Sequence, residues 1–206
     1  MKNRRGGVLI AVTLLFSAVG AFAQTPRVAF SFQGGGAGHE ENNLSVGLAA
    51  GFSLSVPIVS RLSLFAEIDH WRTGSRTSYR KLYKGRLSLT PFLAGLRYDF
   101  PGNGYFSPYV LAGAGYVESR FRIGSPDVVP EVTTAQEVHS GAAFFFGGGA
   151  VWKLSGYWDF FTEMNYLIRT APALTITTDS DRHIAVDRIW VNLHVVYWKF
   201  GVRFLF

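Results

Sequence analysis

The sequence predicts an all-β fold, an eight-stranded antiparallel up-and-down transmembrane β-barrel preceded by a cleavable signal peptide. Three observations carry this. Large apolar side chains alternate with small or polar ones along most of the chain, the connections between the alternating segments are short and long in turn, and the chain stops on Phe206 with no polar tail. A terminal phenylalanine contributes nothing in water unless something holds it. The composition agrees: of 206 residues 48% are hydrophobic and 16% aromatic, with 23 glycines and 18 phenylalanines, which suits tightly turning, close-packed strands. The absence of cysteine excludes disulfides, thiolate chemistry and a lipid-modified N-terminal cysteine.

Residues 1–23 read as an export signal and residues 24–206 as one barrel domain. Lys2, Arg4 and Arg5 form a positive start, Val8 to Val19 an apolar run too short to span a bilayer comfortably, and Ala21-Phe22-Ala23 a small-residue cleavage site between Ala23 and Gln24. Removing those three bases leaves 17 against 14 acids, a net charge of +3 instead of +6. With no nucleic-acid motif present, a nucleic-acid-binding reading loses its support.

The segments follow in order. Residues 27–37 open the barrel and carry Gly34-Gly35-Gly36, where close strand packing is expected. Residues 44–56 show the pattern most clearly: Leu44, Val46, Leu48, Ala50, Phe52, Leu54 and Val56 take every even position, with glycine, alanine or serine between them. Residues 62–74 place Glu67 and Asp69 on the small-residue parity, and residues 85–100 place Arg97 and Asp99 there. Residues 106–119 and 138–154 follow, the latter with Gly147-Gly148-Gly149. Residues 157–170 carry Asp159, Glu163 and Arg169, and residues 189–206 carry Lys199 and Arg203. The connections at 57–61, 101–105 and 155–156 are short, whereas 75–84, 120–137 and 171–188 are long and polar. Short turns at one end and long loops at the other are the pattern of a transmembrane barrel. In the last segment Val191, Leu193 and Val195 break the expected parity, which predicts a bulge near Val195-Val196 or emergence of the strand above the bilayer.

Volume and charge decide which face is outside. The interior of an eight-stranded barrel is just wide enough for side chains to fill, so the large residues are expected outward and the charged ones inward. Buried charges must find partners. The index sums of Asp159 with Arg203 and of Glu163 with Lys199 are equal, so a single antiparallel register opposes both pairs, and Glu67 is expected to reach Arg97. Aromatic girdles are expected from Tyr98, Phe100, Tyr105, Phe106, Tyr157, Trp158 and Phe206 at the short-turn end, and from Trp71, Tyr79, Tyr116 and Trp190 at the other.

Two stretches resemble the OmpA/OmpX-type eight-stranded outer-membrane β-barrel proteins of diderm bacteria. These are Ser107 to Tyr116, "SPYVLAGAGY", and the terminal octet "KFGVRFLF". The octet is similar to the family's assembly signal at Lys199, Gly201, Phe204 and Phe206, which implies recognition by the outer-membrane assembly machinery. The resemblance implies a small integral outer-membrane protein, with a structural or surface-interaction role such as adhesion or lipopolysaccharide contact, a plugged interior and no cofactor. The alternatives are a lipid A-modifying enzyme and a narrow low-conductance channel.

Candidate chemistry is sparse. Glu137, His139 and Ser140 are the nearest approach to a catalytic set, but neighbours on a strand point to opposite faces, so no enzyme is expected. His70 and His194 lie toward the loop end. The glycine runs lack the Lys-Ser/Thr of a phosphate loop. Arg72, Arg76, Arg80, Lys81, Lys84 and Arg86 lie within fifteen residues and are suited to lipopolysaccharide phosphates, with a further surface ligand left open.

Overall fold

In the computed structural model, residues 27–39, 44–75, 85–123, 133–178 and 184–206 are described. Alternation resolves into eleven strands: β1 (Ala29–His39), β2 (Gly47–Val59), β3 (Leu62–Ser75), β4 (Gly85–Asp99), β5 (Phe106–Ile123), β6 (Thr133–Val138), β7 (Gly141–Lys153), β8 (Trp158–Ile168), β9 (Thr170–Thr178), β10 (Ile184–Asn192) and β11 (Val195–Leu205). Eight of them close an antiparallel barrel in the order β1, β11, β8, β7, β5, β4, β3, β2, with β2 returning to β1. Closure leaves no unpaired edge, which a wall facing hydrocarbon requires.

The short turns have local causes. Asn103 Oδ1 accepts hydrogen bonds from the Tyr105 and Phe106 backbone N–H groups at 3.3 and 2.9 Å, and Gly104 takes a positive φ of 90°. Ser155 Oγ accepts likewise from Tyr157 and Trp158 at 3.2 and 3.1 Å. These side chains stand in for the next strand's partners and reverse the chain in few residues.

The other three strands form a separate sheet in the order β10, β9, β6. They continue β11, β8 and β7 beyond interruptions at Leu193-His194, Arg169 and His139-Ser140. The connections 120–137 and 171–188, expected as loops, therefore contain strand: the barrel's alternation runs on in phase through Arg169 and Leu193-His194, and resumes displaced by one residue across His139-Ser140. The bulge expected near Val195-Val196 is absent: β11 and β8 stay in one register from Val195↔Leu167 to Phe204↔Trp158. Val191, Leu193 and Val195 keep the inward parity of Tyr197 and Lys199 and are buried.

The barrel is apolar outside. Phe32, Leu48, Phe144 and Trp198 are each at least 64% exposed, far beyond what water favours for such a continuous belt. Within, the two ends differ. Toward the short turns the lumen holds charged side chains; toward the second sheet it is filled by Trp71, Leu87, Leu89, Val117, Leu167 and Leu193, all almost fully buried. The expectation that large residues all face outward is thus corrected. Inward positions of β1 and β2 are small (Gly35, Ala37, Gly47, Ala49), and the volume they leave admits rings from other strands. Trp71, expected in the outer girdle, is inside and packs on Tyr197 with ring centroids 4.6 Å apart. The girdle residues at the short-turn end are exposed, Tyr116 and Trp190 also lie outward, and Tyr79 lies outside the described residues.

Candidate functional site

The lumen toward the short turns contains one continuous polar network. Lys199, on the last strand, points inward beside Gly35 of β1, its cross-strand partner, and crosses the lumen to β3. Its Nζ donates to Glu67 Oε2, lies 2.9 Å from Glu163 Oε1 and 3.7 Å from Asp69 Oδ2. The remaining oxygens are partly satisfied from other strands. Gln33 Nε2 donates to Asp69 at 2.7 Å, Tyr109 Oη–H to Glu163 at 2.8 Å and Asn165 Nδ2 to Glu163 at 2.5 Å. Five strands are thereby tied through one ammonium, and low dielectric strengthens each link.

Two further ion pairs lie nearer the short turns. Arg203 donates through Nε and Nη2 to Asp159 Oδ2 at 3.0 and 2.6 Å. Arg97 donates to Asp99 Oδ1 at 3.1 and 2.5 Å, and its guanidinium lies 3.6 Å from the centroid of the Tyr109 ring. The register opposes Lys199 with Glu163 and Arg203 with Asp159, the pairing given by the index sums. Glu67 does not reach Arg97: it turns to Lys199, the cation that its own height in the lumen presents. Sequence reasoning missed Gln33, Tyr109 and Asn165. The signal for Tyr109 was Gly149, its partner across β5 and β7, where a Cβ would press on the tyrosine ring.

Arg169 holds the junction between barrel and second sheet. It donates to the Val117 carbonyl at 3.1 Å, to Ser119 Oγ at 2.9 Å and to the His139 carbonyl. Burial pulls its pKa down to about 10, which leaves it charged at neutral pH. Ser140 Oγ accepts the Ser119 backbone N–H at 2.9 Å, and the His139 and Glu137 side chains are exposed, so these three do not converge as nucleophile, base and orienting acid. His70 Nδ1 is 3.0 Å from Thr90 Oγ1, and His194 Nδ1 is 3.2 Å from Tyr166 Oη.

At the chain end Phe204 and Phe206 meet edge to face at 4.5 Å, and the Phe206 N–H donates to the Val28 carbonyl at 3.0 Å. Gly201 is required by space: a Cβ there would collide with the Phe32 carbonyl oxygen and the Phe161 ring. Arg72 and Arg86 lie on the outer face of β3 and β4. Arg76, Arg80, Lys81 and Lys84 lie outside the described residues, as do Ala23 and Gln24. Among the described residues no cluster of His, Asp and Glu is arranged to hold a metal ion.

No protein-family model matches the chain, and no curated protein does. Solved structures do. The outer membrane protein OprG from Pseudomonas aeruginosa superposes with a TM-score of 0.68 at 12% identity, covering 88% of this chain and 97% of that one. Neisserial surface protein A gives 0.56 at 14% identity, over 87% and 96%. A major outer membrane protein from Thermus thermophilus gives 0.54 at 11%, over 87% and 99%. The shared feature is the architecture built above, and the chain has the fold of the eight-stranded outer-membrane β-barrels.

Proposed function

We propose that this protein resides in the outer membrane of a diderm bacterium as a plugged, non-catalytic barrel, a structural element that acts through its outer surface, in adhesion or contact with lipopolysaccharide. The observation that carries this is Lys199, which crosses from β11 to the carboxylates of β3 while holding Glu163 of β8, so that the ionic network lies across the lumen. An apolar core closes the same lumen further along. An ion would have to displace a fully paired buried ammonium and then pass packed rings, both of which oppose conduction. The terminal strand, with Lys199, Gly201, Phe204 and Phe206, is the part we assign to recognition by the assembly machinery.

The test is to reconstitute the refolded protein in planar bilayers. The expected result is no conductance steps above the bare membrane; reproducible steps would overturn the plugged reading and favour the narrow channel. The mass of lipid A from cells overexpressing the protein is expected to stay unchanged, and a new acylation state would replace the structural reading with an enzymatic one.

A further inference from the structure

Four arginines stand in two adjacent rows on the outer face of β3, β4 and β5, at the ends away from the short turns. In one row Arg72 of β3 is opposite Ser88 of β4, and Ser88 is opposite Arg120 of β5. In the next, Gly74 is opposite Arg86, and Arg86 is opposite Arg122. All four arginines are exposed. Opposed residues of an antiparallel pair have Cβ atoms about 5 Å apart and diagonal ones about 7 to 8 Å, so these guanidinium groups can reach one point.

Like charges directly opposite each other destabilise a sheet. Arg86 and Arg122 are so placed, and no ion pair among the described residues involves either of them. Glu118, the acid on this face, is taken by Arg120 at 2.7 Å. Arg72 Nε donates to His70 Nε2 at 3.2 Å, which orients the arginine without neutralising it. Among the described residues no carboxylate pairs with Arg72, Arg86 or Arg122. Ser88, between Arg72 and Arg120, and Gly74, at the end of the second row beside Arg86, are small, so the four cationic side chains surround a shallow place that holds the Ser88 hydroxyl.

Its height and direction say which anion. Phe92 and Tyr116 are opposed on the same outer face, two rows nearer the short turns than Ser88 and Arg120. The apolar belt thus gives way to an exposed tyrosine and then to arginines, the order of hydrocarbon, interface and headgroup. Four residues of strand separate Tyr116 from Arg120, roughly 13 Å along the chain. The patch faces sideways from the barrel wall, in continuity with the lipid-contacting surface. We propose that Arg72, Arg86, Arg120 and Arg122 bind a phosphate of an outer-leaflet glycolipid of the lipid A type, with Ser88 as an additional hydrogen-bond donor. Planar guanidinium forks match phosphate oxygens two at a time. This deepens and rests on the outer-membrane reading above, and it adds two residues of β5 to the basic set evident in the sequence near β3 and β4.

The test uses the full refolded chain in zwitterionic detergent, with added diphosphoryl lipid A, monophosphoryl lipid A or phosphatidylglycerol, and native mass spectrometry of the complexes. Wild type is expected to retain diphosphoryl lipid A in preference to the other two. The variant R86Q/R120Q/R122Q should lose at least tenfold in retention, since a hydrogen bond to a charged group is worth about tenfold or more in affinity. R188Q, on the outer face of β10, should change nothing. If the triple variant fails to acquire the heat-modifiable mobility of a folded barrel, R122Q alone is used, with a several-fold loss expected. Equal retention by folded variant and wild type, or no preference of wild type for diphosphoryl lipid A, overturns the proposal. Failure of the folded wild type to insert into bilayers would instead overturn the outer-membrane reading, so the two are separable.

Discussion

Replacing Lys199 by methionine keeps an aliphatic stem of similar length and deletes the ammonium. Glu67, Asp69 and Glu163 then lose their shared cation in a part of the lumen where none of the four residues is more than 6% exposed. At an effective dielectric of about 20, the attraction at the 2.9 Å Lys199–Glu163 distance amounts to roughly 6 kcal/mol before desolvation is deducted. Carboxyl groups left alone limit the damage by taking up protons, at about 4 kcal/mol each at pH 7 for a group with an ordinary pKa. Both routes lead to the range known for removing one partner of a buried ion pair, about 3 to 5 kcal/mol. The assay is urea unfolding of the barrel refolded into lipid vesicles, followed by tryptophan fluorescence and by heat-modifiable mobility. In the background E67Q/E163Q the same substitution should cost less than half as much, because two of the stranded charges are gone. A K199M variant within about 0.5 kcal/mol of wild type, or a cost that the glutamine background does not reduce, would refute the view that this network holds the lumen together.

Other outcomes follow from position. Phe200 is 56% exposed at the middle of β11, so F200R should cost about 2 to 4 kcal/mol in the same unfolding assay, and V202R, nearer the short-turn end, less. G201V drives a side chain into the Phe32 carbonyl and the Phe161 ring; a loss of about 1 to 3 kcal/mol is expected, along with slower appearance of the folded form. W71A empties a fully buried ring site and should cost about 3 to 5 kcal/mol, whereas an interfacial tryptophan would cost far less. R169A removes bonds to the Val117, Ser119 and His139 groups, so limited proteolysis should cut the second sheet sooner while the barrel's heat-modifiable mobility persists.

What the residues disclosed in advance was whatever depends on one strand or on two neighbours in the chain. The even-numbered apolar run from Val46 to Val56 defines a face by itself, and the Asp159, Glu163, Lys199 and Arg203 spacing defines a register because β8 and β11 are neighbours in the barrel. The inner volume depends on all eight strands together. Taken singly, β3 and β11 put Trp71 and Tyr197 where a membrane interface would also accept them. Inside the barrel, these rings fit because β1 and β2 present Gly35, Ala37, Gly47 and Ala49 on their inner faces. The same small faces explain Lys199: with glycine beside it on β1, the lysine stem can run across to β3, and Glu67 pairs with it and not with Arg97.

The strand extensions were hidden for a different reason. Residues 171–188 are rich in threonine and short of large apolar groups, which resembles a solvated loop when counted by composition. Yet parity passes unbroken through two of the interruptions: Leu167, Arg169, Ala171 and Ala173 are all buried, as are Val191, Leu193, Val195 and Tyr197, while Trp190, Val196 and Trp198 are exposed. At His139-Ser140 it shifts by one residue, with Gln136 and Val138 buried before the break and Ala143 and Phe145 after it. The interruptions at His139-Ser140, Arg169 and Leu193-His194 occur on three neighbouring strands and are linked through backbone bonds from His139 to Pro172 and from Leu193 to Arg169. They mark a change of sheet, in phase on β8–β9 and β10–β11 and with a one-residue shift on β6–β7. The arginine rows obey the same logic on the outer wall. Arg86 and Arg122 are far apart in the chain, and nothing local relates them; β4 and β5 must first pair in the register that sets Gly85 against Ile123 before two guanidinium groups face the same place. A basic cluster along one loop can be solvated by water alone, whereas arginines brought into opposition by the register of a rigid wall cannot move apart, and that enforced proximity is what an anion would relieve.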